Sequence, residues 1–105
     1  MSEPLDLLIV YIPIPDTDRV LEALFAAGAG RIGNYDSCAF VAPGAGQFRP
    51  LTGAHPTIGA VGEIERVAEN RVEVSFPRSL REVVVSALRR AHPYEEPAFH
   101  VLTTA

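Results

Sequence analysis

The sequence contains no lysine. Its 9 basic residues are all arginines, they face 13 carboxylates, and the formal net charge is −4. Binding to a phosphate backbone rests on a basic stripe. Arg89-Arg90 is the only basic doublet, so no stripe can be assembled and nucleic acid is excluded as a partner. The arginine-for-lysine replacement, beside abundant Ala, Gly, Pro and Val, reads as coding bias. Only one cysteine, Cys38, is present, which excludes an intramolecular disulfide and leaves a thiol expected to be buried and inert among apolar neighbours. No apolar run approaches the length of a membrane span, so no membrane partner is expected. Acids stand near the N-terminus, at Glu3 and Asp6, where a secretory leader needs a basic stretch, and the expected location is the cytoplasm.

Catalytic patterns are also scarce. No serine sits in a nucleophile elbow, and Cys38 has no adjacent base. Glu95 and Glu96 are neighbours, so on an extended chain they point to opposite sides and cannot act as a carboxylate pair. Gly44-Ala45-Gly46 lacks the third glycine and the following Gly-Lys-Ser/Thr of a phosphate loop. No catalytic residue is assigned, and the enzyme question leans towards no.

What remains is a single globular domain: 105 residues, 48% hydrophobic and 21% charged. Residues 5–12 form an apolar run of strand length, ended by Pro13 and Pro15. Asp16 is a candidate N-cap for a helix carrying Val20, Leu21, Leu24 and Phe25, stopped at Gly28 and Gly30. Residues 38–41 read as a short strand, and Val72, Val74 and Phe76 alternate with polar neighbours in another. Ser79 and Glu82 have capping-box spacing ahead of a second helix with Leu80, Val83, Val84, Ala87, Leu88 and Ala91 on one face. Arg89, Arg90 and His92 place donors at that helix's negative end, and Pro93 stops it. Residues 99–102 form the last strand. The order gives an α+β, ferredoxin-like βαββαβ fold, with two helices on one face of an antiparallel sheet.

Between the two halves, residues 44–62 are too rich in Gly and Pro for a helix and read as a projecting hairpin arm, continuing to Val67 and turning near Glu69-Asn70. Such an arm is expected to wrap a neighbouring chain. The densest motif is His92-Pro93-Tyr94-Glu95-Glu96-Pro97: an imidazole, a phenol and two carboxylates between two prolines of fixed φ. It is either a stiff connector or an elbow that contacts a ligand or another subunit.

Four segments in order, residues 30–40, 44–50, 53–59 and 92–97, resemble the YqfO-type domain inserted in many bacterial Nif-three-like proteins. The resemblance covers residues 5–102. It implies a PII/CutA-like fold and a trimer whose sheets face a central axis, with a small ligand held between subunits. In the larger family a dinuclear metal centre belongs to flanking domains. These 105 residues hold only His55, His92 and His100, so that centre and its hydrolase chemistry are not expected to carry over.

The candidate ligand or interface residues are therefore His92, Tyr94, Glu95 and Glu96 of the elbow, Gly33, Asn34 and Tyr35 after the first helix, and Phe48 and Arg49 of the arm. His92, Glu95 and Glu96 are weak candidates for a divalent metal, and no other cofactor is expected. Glu95 and Glu96 could instead pair with Arg31, Arg49 or an arginine of a neighbouring chain. His55 is expected on a surface loop and His100 facing solvent. The functional expectation is a homo-oligomeric, trimeric PII/CutA-like binding or regulatory module of unknown ligand, the alternative a structural, oligomerisation and protein-interaction module with no small ligand.

Overall fold

The computed structural model describes residues 3–104. Strand β1 (Leu5–Pro13) leads through a 3₁₀ turn into helix α1 (Thr17–Ala26). Strands β2 (Phe40–Phe48) and β3 (Glu65–Pro77) follow, then helix α2 (Arg81–Ala91) and strand β4 (Phe99–Leu102). The sheet order is β2-β3-β1-β4 with every pair antiparallel. This is the ferredoxin-like α+β arrangement that the element order implies.

Alternation decides which side is covered. Leu8, Val10 and Ile12 of β1 and Val72, Val74 and Phe76 of β3 are buried against Val20 and Leu24 of α1 and Val84 and Leu88 of α2. Among the described residues no helix covers the other face. Its central row runs Phe40, Glu73, Ile9 and His100 across the four strands. Phe40 and Leu102 there are 61% and 48% exposed. His100 is exposed, as expected. Among the described residues no helix is long and apolar enough to cross a membrane.

Several local expectations need correction. Asp16 holds the N-cap position of α1, but its carboxylate bonds Arg19 (3.1 Å) and caps no amide. The Ser79–Glu82 capping box does not form, because a 3₁₀ turn (Arg78–Leu80) moves the cap to Leu80. The Ser79 amide donates instead to the Glu3 carboxylate (2.6 Å). Contacts with Ser79, its side chain first, hold the Glu3 carboxyl below its usual value. Val83 is 52% exposed, since it lies beyond the edge of the stripe formed by Val84, Ala87 and Leu88. Cys38 is half-buried in the loop before β2 rather than inside a strand. The end of α1 is as expected: Gly28 (φ 105°) adopts the left-handed conformation, and the Ala29 amide reaches back to the Leu24 carbonyl (3.0 Å).

Asp6 is an acid on the helix-covered face, 1% exposed. Arg78 grips it with Nε and Nη2, at 2.8–3.1 Å, and the Thr104 amide adds a bond of 3.3 Å. The guanidinium holds the Asp6 carboxyl below its ordinary value.

The arm is real but differently built. The expected turn at Glu69-Asn70 is absent, because β3 runs through both residues and pairs there on each side, Glu69 with Gly44 and Pro13, Asn70 with Pro43 and Ile12. Two-sided pairing outweighs the local turn preference of an asparagine. The Asn70 amide also donates to the Thr17 hydroxyl (2.9 Å), tying the strand to the start of α1. Chain reversal falls in residues 49–64, where Gly53, Gly59 and Gly62 all have positive φ.

Candidate functional site

Extended ψ at His92 (136°), imposed by the following proline, ends α2 and turns the chain across the end of β1. There the Tyr11 amide donates to the Ala98 carbonyl (3.2 Å). The Tyr11 carbonyl, on the same side of the strand, takes the His92 Nε2 proton at 2.8 Å. The other ring nitrogen, Nδ1, accepts from the Tyr94 amide at 3.1 Å. These two bonds fix a neutral tautomer. Burial pushes the imidazole below its ordinary value, against the opposing pull of the Tyr11 carbonyl. His92 is thus not the charged helix-end donor expected. With both nitrogens committed to backbone, it is withdrawn as a metal candidate. Among the described residues no three His, Cys, Asp or Glu side chains converge as metal ligands.

His92 in turn places Tyr94. The Tyr94 ring packs on the imidazole (centroids 5.1 Å apart) and meets Phe48 of β2 edge-to-face at 5.7 Å. The tip of the arm then folds back onto the elbow of its own chain. The His55 amide donates to Glu95 Oε1 (3.1 Å) and the Thr57 hydroxyl to the Pro93 carbonyl (2.8 Å). The elbow is therefore neither a bare connector nor free for a neighbour alone, because it is the post on which the arm rests.

Arm and elbow enclose a cavity of about 610 Å³. Tyr11 and Glu69 contribute from the sheet, Phe48, Arg49 and residues 50–54 and 56–58 from the arm, and Tyr94, Glu95, Glu96 and Ala98 from the elbow. Glu69 is half-buried, and burial raises its carboxyl. Its side chain lies against the bare backbone of Gly46, where a Cβ would come within 1.7 Å of the carboxylate. Burial raises the Tyr94 phenol as well, and the charge of Glu69 adds to that. The Tyr94 hydroxyl is shielded from solvent and has no hydrogen-bond partner among the described residues.

Of the residues singled out in the sequence, Tyr94, Glu95, Glu96, Phe48 and Arg49 meet at this cavity. His92 stands behind it, buried. Gly33, Asn34 and Tyr35 do not join them within one chain. They form an exposed turn closed by Ile32 and Tyr35, in a loop tied to Ser75 at the other end of the sheet. Glu95 and Glu96 are exposed and form no ion pair with Arg31 or Arg49 among the described residues. His55 lies on the surface, as expected. Sequence reasoning missed Tyr11 and Glu69. The signal for Glu69 was the small residue Gly46 two places beyond its pairing partner Gly44, and it was lost once Glu69-Asn70 was read as a turn.

The fold is CutA-like. The chain superposes on CutA of Archaeoglobus fulgidus, a periplasmic divalent cation tolerance protein, with a TM-score of 0.68 at 16% identity over 95% of this chain and 83% of that one. That likeness concerns the fold alone. A Bacillus cereus protein related to NIF3 gives a TM-score of 0.84 at 39% identity, over 99% of this chain and 26% of that one. In sequence, the chain is 50% identical over 97 residues to the GTP cyclohydrolase 1 type 2 homolog of Mycobacterium leprae, covering 92% of this chain and 25% of that protein. The Bacillus subtilis protein of the same name is 48% identical over 100 residues, covering 95% and 27%. No family model matches. The chain is homologous to a segment of these proteins of the NIF3/YqfO family and spans about a quarter of their length.

Proposed function

We propose that this domain is a homo-oligomeric, trimeric binding or regulatory module whose ligand site is the arm–elbow cavity. The uncovered sheet face carries the reading. Phe40 and Leu102, 61% and 48% exposed, flank Ile9 and Leu7 on a sheet whose other side is already packed. Apolar side chains spread over one sheet face are best covered by like faces of further copies. The cavity supports the binding half of the proposal, because a volume of about 610 Å³ with aromatic walls and a few polar groups suits a small molecule. In a trimer the Gly33-Asn34-Tyr35 turn of one copy is available as an outer wall for a site of the next.

Light scattering on the purified protein should give the mass of a trimer. Phe40→Asp, which puts a charge on the open face at its β2 edge, should release folded monomer. A wild-type monomer at micromolar concentration refutes the assembly. A thermal-shift panel of nucleotides, divalent metals and small metabolites tests the ligand half. The exposed apolar residues Leu51, Val61 and Ile64 of the arm tip (63%, 50% and 59% exposed) favour a second reading, a purely structural interaction module. A trimer that responds to no compound in the panel supports that second reading.

A further inference from the structure

We propose that the arm–elbow cavity takes a small organic cation, an amine or guanidine on a short apolar chain, with Glu69 as counter-ion and the Phe48 and Tyr94 rings beside it. The inference rests on the reading of this cavity as a ligand site and adds the chemistry of the ligand. Three carboxylates line the space, Glu69, Glu95 and Glu96, against one guanidinium, Arg49. Glu95 is partly satisfied by the His55 amide, whereas Glu69 has no hydrogen-bond or ion-pair partner among the described residues.

The fold goes to some length to keep Glu69 where it is. Its carboxylate fits only because Gly46 has no side chain, and two-sided strand pairing fixes its backbone. A half-buried carboxylate without a partner loses hydration with nothing in return. A carboxylate only accepts hydrogen bonds, and an ammonium or guanidinium group has only donors to offer. Phe48 and Tyr94, packed edge-to-face, add ring surfaces that attract a cation. Pro50, Leu51 and Ile58 give the rest of such a ligand an apolar wall. An anion would meet the three carboxylates with Arg49 alone to hold it.

Isothermal titration of the full chain with agmatine and putrescine, and with citrate and inorganic phosphate as anionic controls, tests this directly. The expected result is saturable binding of at least one of the two cations, at one per chain, and none of the anions. Glu69→Gln should weaken it by roughly tenfold or more, the ratio that about 1.4 kcal/mol represents. Gly46→Ala, which displaces the Glu69 carboxylate without removing its charge, should weaken it several-fold. Glu22→Gln, an exposed acid on α1, should leave it unchanged. Melting temperature and mass of each variant confirm that it is folded and assembled. Equal binding by wild type and Glu69→Gln overturns the proposal. So does binding of citrate or phosphate without the cations, although the cavity would then stand as a ligand site. Silence with all four probes also overturns the cation assignment, while the light-scattering mass separately decides the assembly.

Discussion

Replacing His92 by leucine removes a buried imidazole of similar bulk together with both its hydrogen bonds. The Tyr11 carbonyl and the Tyr94 amide then lose their partners, at 2.8 and 3.1 Å. A buried polar group left without a bond costs about 1–3 kcal/mol. The Tyr94 amide borders the cavity and water can reach it in part, so its share falls at the low end, and the total expected loss is about 3 kcal/mol. Urea unfolding followed by circular dichroism should show a lowered midpoint with the slope unchanged. His92→Gln, whose amide can still donate towards Tyr11, should lose less.

The pH dependence carries the same argument. Burial lowers the native pKa of His92, so between the native and unfolded values the unfolded chain binds more protons. The contribution of His92 is complete above its unfolded value of about 6.5 and declines as pH falls from there towards the native value. Glu69, raised by burial, works in the opposite sense at lower pH. The decisive quantity is therefore the difference between wild type and His92→Leu, which should shrink as pH drops below about 6.5. A His92→Leu protein within about 0.5 kcal/mol of wild type at pH 7.5, the range of an inconsequential surface change, would refute the bracket.

Tyr94→Phe removes a hydroxyl that has no partner, so thermal melts without ligand should show no loss and a gain of up to about 1 kcal/mol. A clear loss would mean that the hydroxyl is bonded in the native protein. Ser79→Ala should cost less than the roughly 1 kcal/mol typical of a lost N-cap, because the serine caps no helix amide. Glu3→Gln should lower the melting temperature, and this difference should vanish as pH falls below the carboxylate range, since Glu3 contributes only while ionised.

The order of elements was legible in the sequence because each element carries a local period. Alternation at Val72, Val74 and Phe76, the apolar stripe of α2, and Gly28 at the end of α1 are all decided within a few residues of chain. So was the importance of the elbow, since two prolines around an imidazole, a phenol and two carboxylates restrict the backbone without help from elsewhere. Only the tertiary structure decided what these groups do. Residue 11 and residue 92 meet because β1 and α2 end side by side, and this turned a histidine expected to carry charge into a neutral bracket. Glu69 became part of the site because β3 pairs on both sides there, which no local preference records. The bond from the Ser79 amide to Glu3, 76 positions away, and the folding of the arm onto its own elbow, 36 and 40 positions away, are likewise long-range contacts. Local sequence sets which conformations are inexpensive, and the meeting of distant segments sets which polar groups find partners and which are left to seek a ligand.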